Sequence, residues 1–153
     1  HVVPLQVRGI RQHEVGERLV DVGGEYGVVT GRRRRPGWLD LVALRYAARI
    51  NSLTSIFLTK LDVLSGFDEV KVATAYDLDG AVTTELPAGN DAIERCVPRY
   101  ESFPGWEEDL SGVRSWDELP DNARAYIEFI EDTVGAPVRW ISVGPERQQL
   151  IER

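Results

Sequence analysis

Apolar positions recur along this chain with different periods, and each period marks a different element. Val42, Tyr46 and Ile50, flanked by Leu39, Ala43 and Ala47, repeat at helical spacing. Asp40 stands before them as an N-cap, and the spacing predicts a helix that ends near Asn51. Ser55 to Thr59 is a short continuous apolar run, which predicts a strand covered on both faces, as in a parallel α/β sheet. Val70, Val72, Thr74 and Tyr76 then alternate with Lys71, Ala73 and Ala75. Asp79-Gly80 supplies a turn and Val82-Thr83-Thr84 returns, so a β-hairpin is expected here.

Pro87 to Asn90 breaks that pattern, and the stretch from Tyr100 to Pro120 reads as largely irregular. After Pro120, Ala123, Ile127, Ile130 and Val134 form an amphipathic helical stripe, stopped by Gly135 and Pro137. Val138 to Val143 reads as the final strand and delivers Ser142-Val143-Gly144-Pro145. At the front, residues 1 to 15 show no clear period; regularity begins at Gly16, and Asp21 to Gly27 reads as a loop. Strands alternating with helices place the chain in the α/β class, with flanking helices and one hairpin.

Composition narrows the class further. A chain of 153 residues that is 42% hydrophobic suits one domain with its own core. No apolar run approaches the ~20 residues that span a bilayer, and no secretory signal is visible, so no membrane is expected. The single cysteine, Cys96, excludes an internal disulfide framework, and two histidines with one cysteine cannot build a usual zinc site. A cytoplasmic protein without a transition metal is expected. The chain contains no methionine and starts with histidine, which predicts a piece of a longer or processed protein.

Charge is placed unevenly. Residues 1 to 50 hold nine Lys/Arg against five Asp/Glu, a net +4, and the remainder hold nine against twenty, a net −11. A nucleic-acid binder needs a broad positive footprint, so this division argues against nucleic acid and for a local anion site. That site is indicated by Thr30-Gly31-Arg32-Arg33-Arg34-Arg35-Pro36-Gly37, where an anionic ligand or a set of carboxylates is the simplest way to offset the repulsion of four consecutive guanidiniums; from the block alone a solvated charge run or a nucleic-acid patch is the alternative. If the block is extended, Arg32 and Arg34 share one face and Arg33 and Arg35 the other.

A second constellation closes a strand. Thr59-Lys60-Leu61-Asp62 follows the apolar run, and ligands in open α/β sheets bind beyond the carboxyl ends of strands. A carboxylate there can accept from the ring N–H and the amino group of guanine, while adenine offers no such donor pair. The pattern would therefore select GTP over ATP. The stem of Lys60 can lie along the base with its ammonium in water. Ser142-Val143-Gly144, at another strand end, can present backbone N–H groups to a purine edge. A lysine–aspartate pair closing a strand, and an ordinary strand-to-loop turn, remain alternatives for the two segments. Asp77 and Asp79 read as turn residues, Glu107-Glu108-Asp109 as a solvated face, Cys96 as buried filler, and His13 receives no role.

Taken together, Val29 to Asp40, Asn51-Ser52-Leu53, Leu58 to Leu64, Tyr100-Glu101, Pro104-Gly105-Trp106 and Ser142 to Pro145 resemble, in order, the C-terminal part of adenylosuccinate synthetase. The resemblance covers residues 16 to 153; residues 1 to 15 lack the Gly-Pro-Phe-Pro-Thr stretch expected there. It implies the C-terminal portion of a mostly parallel-sheet nucleotide-binding ligase fold. The implied activity joins IMP and L-aspartate with GTP and Mg2+ in AMP biosynthesis, within a homodimer.

By position, the resemblance makes Val28, Val29, Thr30, Gly31, Arg32, Arg33 and Arg34 the loop that binds aspartate and IMP. Arg34 also reaches GTP, and Lys60, Leu61, Asp62, Ser142, Val143 and Gly144 hold guanine. Val29 stands where the family often has threonine. The phosphate loop, the catalytic aspartate and histidine, and the magnesium ligands belong to the family's N-terminal half. The resemblance therefore implies no catalytic or metal residue in this chain and no turnover by it alone. A non-catalytic guanine-nucleotide-binding or interaction module is the alternative.

Overall fold

The computed structural model describes residues 13 to 153. In chain order the elements are α1 (His13–Gly23), β1 (Leu39–Asp40), α2 (Leu41–Asn51), β2 (Ile56–Leu58), β3 (Glu69–Leu78), β4 (Ala81–Thr83), α3 (Asn90–Arg95), β5 (Val97–Pro104), α4 (Asp121–Val134), β6 (Val138–Ser142) and β7 (Leu150–Glu152). The described residues divide into two compact units. One comprises residues 13 to 43 with Lys71–Glu101; the other comprises Leu44–Val70 with Ser102–Arg153.

In the first unit β3 is the organising strand. It pairs in parallel with β1, Leu39 opposite Val72 and Asp40 opposite Ala73, and antiparallel with β4. Asp79 and Gly80 both take positive φ, 54° and 87°, the combination a two-residue hairpin turn requires to match strand twist. The expected hairpin is therefore present, and Asp77 accepts from the Gly80 N–H at 3.0 Å as a turn residue does. Val42, Tyr76 and Cys96 form a buried cluster, with Leu78 and Leu86 packed against it. Cys96 is the buried filler its surroundings suggest.

Asp40 caps α2 as expected, its Oδ1 accepting from the Ala43 N–H at 3.0 Å. Its other oxygen accepts from the buried Tyr76 hydroxyl. Tyr100 brings a third group to this region: its hydroxyl is buried without a hydrogen-bond partner among the described residues. Burial and the nearby Asp40 carboxylate push the Tyr100 phenol up to about 12.

In the second unit the three-stranded sheet runs β2-β6-β7. β2 and β6 are parallel, with Phe57 opposite Trp140 and Leu58 opposite Ile141. α4 buries Ala123, Ile127 and Ile130 of the predicted stripe and Tyr126 beside them, leaves Val134 half-buried, and ends at Gly135 in a left-handed cap. The motif Pro104-Gly105-Trp106 is a tight backbone crossing. Gly105 donates to the Asp68 carbonyl at 2.9 Å, and a Cβ on Gly105 would collide with the Phe67 carbonyl. Trp106 is buried, its indole N–H donating to Ser65 Oγ at 3.2 Å.

Four expectations are corrected. Asp21 to Gly23 continue α1, so the loop starts at Gly24 and not at Asp21; Val20 in that helix is buried and holds the last turn in place. The run at Ile56–Leu58 is covered on one face only, with Phe57 41% exposed and stacked on Trp140. Tyr100 to Pro120 is not irregular throughout, because β5 occupies its start and pairs with β3. Val138–Ser142 is not the last strand: β7 follows and pairs with it antiparallel, Ile151 opposite Ile141. In β5 and β7 the cross-strand partner supplies what local pattern lacks.

Candidate functional site

The arginine loop is a closed hairpin-like excursion between α1 and β1. Gly27 donates to the Arg32 carbonyl at 2.8 Å, Gly31 to the Gly27 carbonyl at 2.8 Å, and Arg34 to the Glu25 carbonyl at 2.9 Å. Tyr26 and Arg33 form an isolated antiparallel bridge. Thr30 adds a side-chain brace, its Oγ1 accepting from the Arg32 N–H at 3.3 Å. Four hydrogen bonds to the loop's backbone, two of which make up that bridge, therefore hold a loop whose tip residues, Val28 and Val29, are 96% and 97% exposed.

Carboxylates of the same unit answer two of the four cations. Glu17 of α1 takes both guanidinium nitrogens of Arg33 in a bidentate fork. This hydrogen bond raises Arg33 above the ordinary arginine value, so its charge is permanent. Glu25 accepts from Arg34 at 2.9 Å, and its own side chain is only 15% exposed. Arg32 and Arg35 are exposed, with no carboxylate partner among the described residues. The loop thus presents Arg32 as an available cation beside an Arg34 already oriented by Glu25, while Arg33 fastens the loop to α1.

The second site is built where β2 and β6 end side by side. Lys60 leaves β2 with φ 63°, an uncommon conformation for a lysine and one that turns the chain sharply. Leu61 follows, 1% exposed, and Asp62 opens a short 3-10 turn, Asp62–Leu64. The Leu61 N–H donates to the Ser142 carbonyl at 3.2 Å, so Lys60-Leu61-Asp62 and Ser142-Val143-Gly144 are joined by main chain. The sequence named these two segments separately; parallel pairing brings them together.

Roles within the second segment differ from the expectation. Val143 is fully buried, and its N–H already donates to the Gln149 carbonyl at 2.9 Å, so it does not offer that N–H to a ligand. Ser142 Oγ donates to the Gly144 carbonyl at 2.9 Å. The Asp62 carboxyl is raised, chiefly by burial, with the Asp109 charge adding to the effect and Lys60 opposing it. A carboxylate partly out of water and without full compensation is suited to a ligand that brings paired N–H donors.

Sequence reasoning missed Glu17, Glu25 and Gln149, which shape the two sites from outside the motifs. The acidic run is also more than solvated surface: Asp109 Oδ1 accepts from the Ser111 N–H at 2.8 Å and opens the 3-10 turn Leu110–Gly112. No helix among the described residues is long and apolar enough to cross a membrane.

The family model for adenylosuccinate synthetase matches residues 6–151. The chain belongs to the adenylosuccinate synthetase family. That match extends upstream of Gly16, where the motif resemblance begins; residues 6 to 12 lie outside the described residues. An adenylosuccinate synthetase of Anaeromyxobacter dehalogenans is 55% identical over 138 residues, 90% of this chain and 32% of that protein. One from Arthroderma otae is 52% identical over 142 residues, 92% of this chain and 34% of that protein. The structure of fully ligated adenylosuccinate synthetase from Plasmodium falciparum superposes with a TM-score of 0.91 at 39% identity, covering 99% of this chain and 36% of that one. The chain thus spans about a third of the length of the curated relatives it matches.

Proposed function

We propose that this chain is the segment of an adenylosuccinate synthetase that recognises guanine, aspartate and IMP. The whole enzyme would join IMP to L-aspartate at the expense of GTP, as a cytoplasmic homodimer that uses Mg2+. GTP phosphorylates the 6-oxygen of IMP and leaves as GDP. The aspartate amine then attacks C6 and loses a proton, and the C6–O bond breaks as phosphate departs with the oxygen. Residues 16 to 153 would serve as the C-terminal region of such an enzyme.

The observation that carries this reading is the hydrogen bond from Leu61 to Ser142, which assembles two motif segments at neighbouring strand ends. Asp62 would accept from the guanine ring N–H and amino group, Lys60 would cover the base, and the backbone of Ser142 to Gly144 would complete the pocket. In the loop, Arg32 would bind an aspartate carboxylate and IMP, and Arg34, oriented by Glu25, would reach aspartate and the GTP side. Val28 to Gly31 would close over the amino acid, and Arg33 would hold the loop in place. Magnesium would be held by residues of the family's N-terminal half, and no role in holding it is assigned to these side chains. Alone, the segment would bind without turning over, because acid–base groups and a phosphate loop are not among its motifs.

The test is steady-state kinetics of the full-length enzyme carrying this segment, with Asp62→Ala and Arg32→Ala. Asp62→Ala should raise KM for GTP by about tenfold or more and reduce the preference for GTP over ATP. Arg32→Ala should raise KM for aspartate or IMP and leave KM for GTP near wild type. A wild-type enzyme that forms no adenylosuccinate overturns the reading.

A further inference from the structure

We propose that Gln149 is a positioning residue for guanine recognition: its side-chain amide holds the Ser142–Gly144 backbone in the shape that meets the purine. This rests on the GTP reading above. Gln149 lies just before β7, outside every motif used to assign the site.

Four hydrogen bonds meet at this residue. Its Oε1 accepts from the Glu146 N–H at 2.9 Å, and its Nε2 donates to the Ser111 carbonyl at 3.2 Å. Its main-chain N–H donates to the Glu146 carbonyl at 2.9 Å, and its carbonyl accepts from the Val143 N–H at 2.9 Å. Three of these close the loop between β6 and β7, and the fourth fastens that loop to the turn at Leu110–Gly112. The amide also lies directly on Gly144, where a Cβ would collide with its carbonyl carbon, oxygen and nitrogen. A methyl at position 144 would push the amide off its hydrogen bonds to Glu146 and Ser111, so the glycine leaves room for the amide as it is held.

Chemistry explains why an amide occupies this position. The site needs one acceptor, for Glu146 N–H, and one donor, for the Ser111 carbonyl; glutamine supplies both from one planar group. Glutamate keeps the acceptor but sets an anion against a carbonyl, and leucine serves neither. The same turn approaches Asp62 from its other end through Asp109, whose charge acts on the Asp62 carboxyl. One short turn is therefore within electrostatic reach of Asp62 and hydrogen-bonded to Gln149, the side chain that links it to the second segment proposed to hold the base.

The experiment compares full-length wild type, Gln149→Ala, Gln149→Glu, Gly144→Ala and the Gly144→Ala/Gln149→Ala double variant, measuring kcat, KM for each substrate and GTP preference over ATP. Gln149→Ala should raise KM for GTP about tenfold and narrow the GTP preference, with kcat at saturation and KM for IMP and aspartate within about twofold of wild type. Gly144→Ala should show a comparable loss. The double variant should be no worse than either single change, because the colliding amide is gone. Should Gln149→Ala fail to fold, Gln149→Glu decides, with a smaller rise in KM for GTP expected. Unchanged KM for GTP in the folded variants, or losses that simply add, overturns the inference while leaving the GTP reading intact if wild type still prefers GTP. A wild type with no preference for GTP over ATP overturns both.

Discussion

The backbone N–H of Leu61 and the carbonyl of Ser142 meet at 3.2 Å, and this contact joins two motifs that lie far apart in the chain. Leu61 can make it because its side chain is anchored in the core, 1% exposed, immediately after the left-handed turn at Lys60. The turn costs about 1 kcal/mol relative to glycine.

Replacing that lysine separates stability from binding. Lys60→Gly relieves the positive φ, so the denaturation midpoint should stay within about 1 kcal/mol of wild type or rise slightly. The full-length enzyme should nevertheless lose GTP affinity severalfold, because the stem proposed to cover the base is gone. Chemical denaturation beside GTP titration gives both quantities; an unchanged GTP affinity would count against a role for the side chain.

Glu17 is the outlying partner of the arginine loop. Both members of its pair with Arg33 are about 40% exposed, so Glu17→Ala should leave the denaturation midpoint nearly unchanged. Its effect should appear in the loop instead, as a severalfold rise in KM for aspartate with KM for GTP unaltered. Arg33→Lys should behave similarly, since an ammonium cannot reproduce the two-point fork.

Gly105 carries the opposite expectation, a large structural effect with no ligand involved. Gly105→Ala drives a methyl into the Phe67 carbonyl and should destabilise by about 3 kcal/mol or prevent folding. Gly112→Ala is the matched control, because nothing lies within 4 Å of a Cβ there. Urea midpoints of the two variants should differ clearly; equal midpoints would mean that the crossing at Trp106 relaxes freely.

The buried tyrosines set the alkaline limit of stability. Burial raises Tyr76, Tyr100 and Tyr126, with Asp40 adding to the first two. An unfolded tyrosine ionises near 10, so above that pH the unfolded state has released protons that the folded state keeps. The stability these phenols contribute is complete below about pH 10 and declines as pH rises toward 12, where Tyr100 titrates in the fold. Phenolate absorbance from Tyr76 and Tyr126 should rise together with loss of the fold, Tyr100 being half-buried and titrating near 12. Ionisation well before unfolding would contradict their burial.

Local pattern made a good part of this architecture legible. The stripe Ala123, Ile127 and Ile130 specifies α4, Asp40 specifies the start of α2, and Asp79-Gly80 specifies the hairpin, because each depends on neighbours within a turn or two. β5 and β7 were not legible, since their stability comes from pairing with β3 and β6. Residues such as Phe57, exposed within an apolar run, show that periodicity cannot tell one covered face from two.

The candidate site divides the same way. The sequence by itself determined which side chains are available: a run of guanidiniums, a carboxylate after a strand, a glycine that tolerates close contact. Only tertiary structure decided how they are held, because Glu17 against Arg33, Leu61 against Ser142, and Gln149 against Gly144 and Ser111 are arrangements in space. Chemistry is carried by residue type and survives reading in one dimension. Hydrogen-bond partnership across elements depends on strand register and core packing, which exist only once the chain has folded.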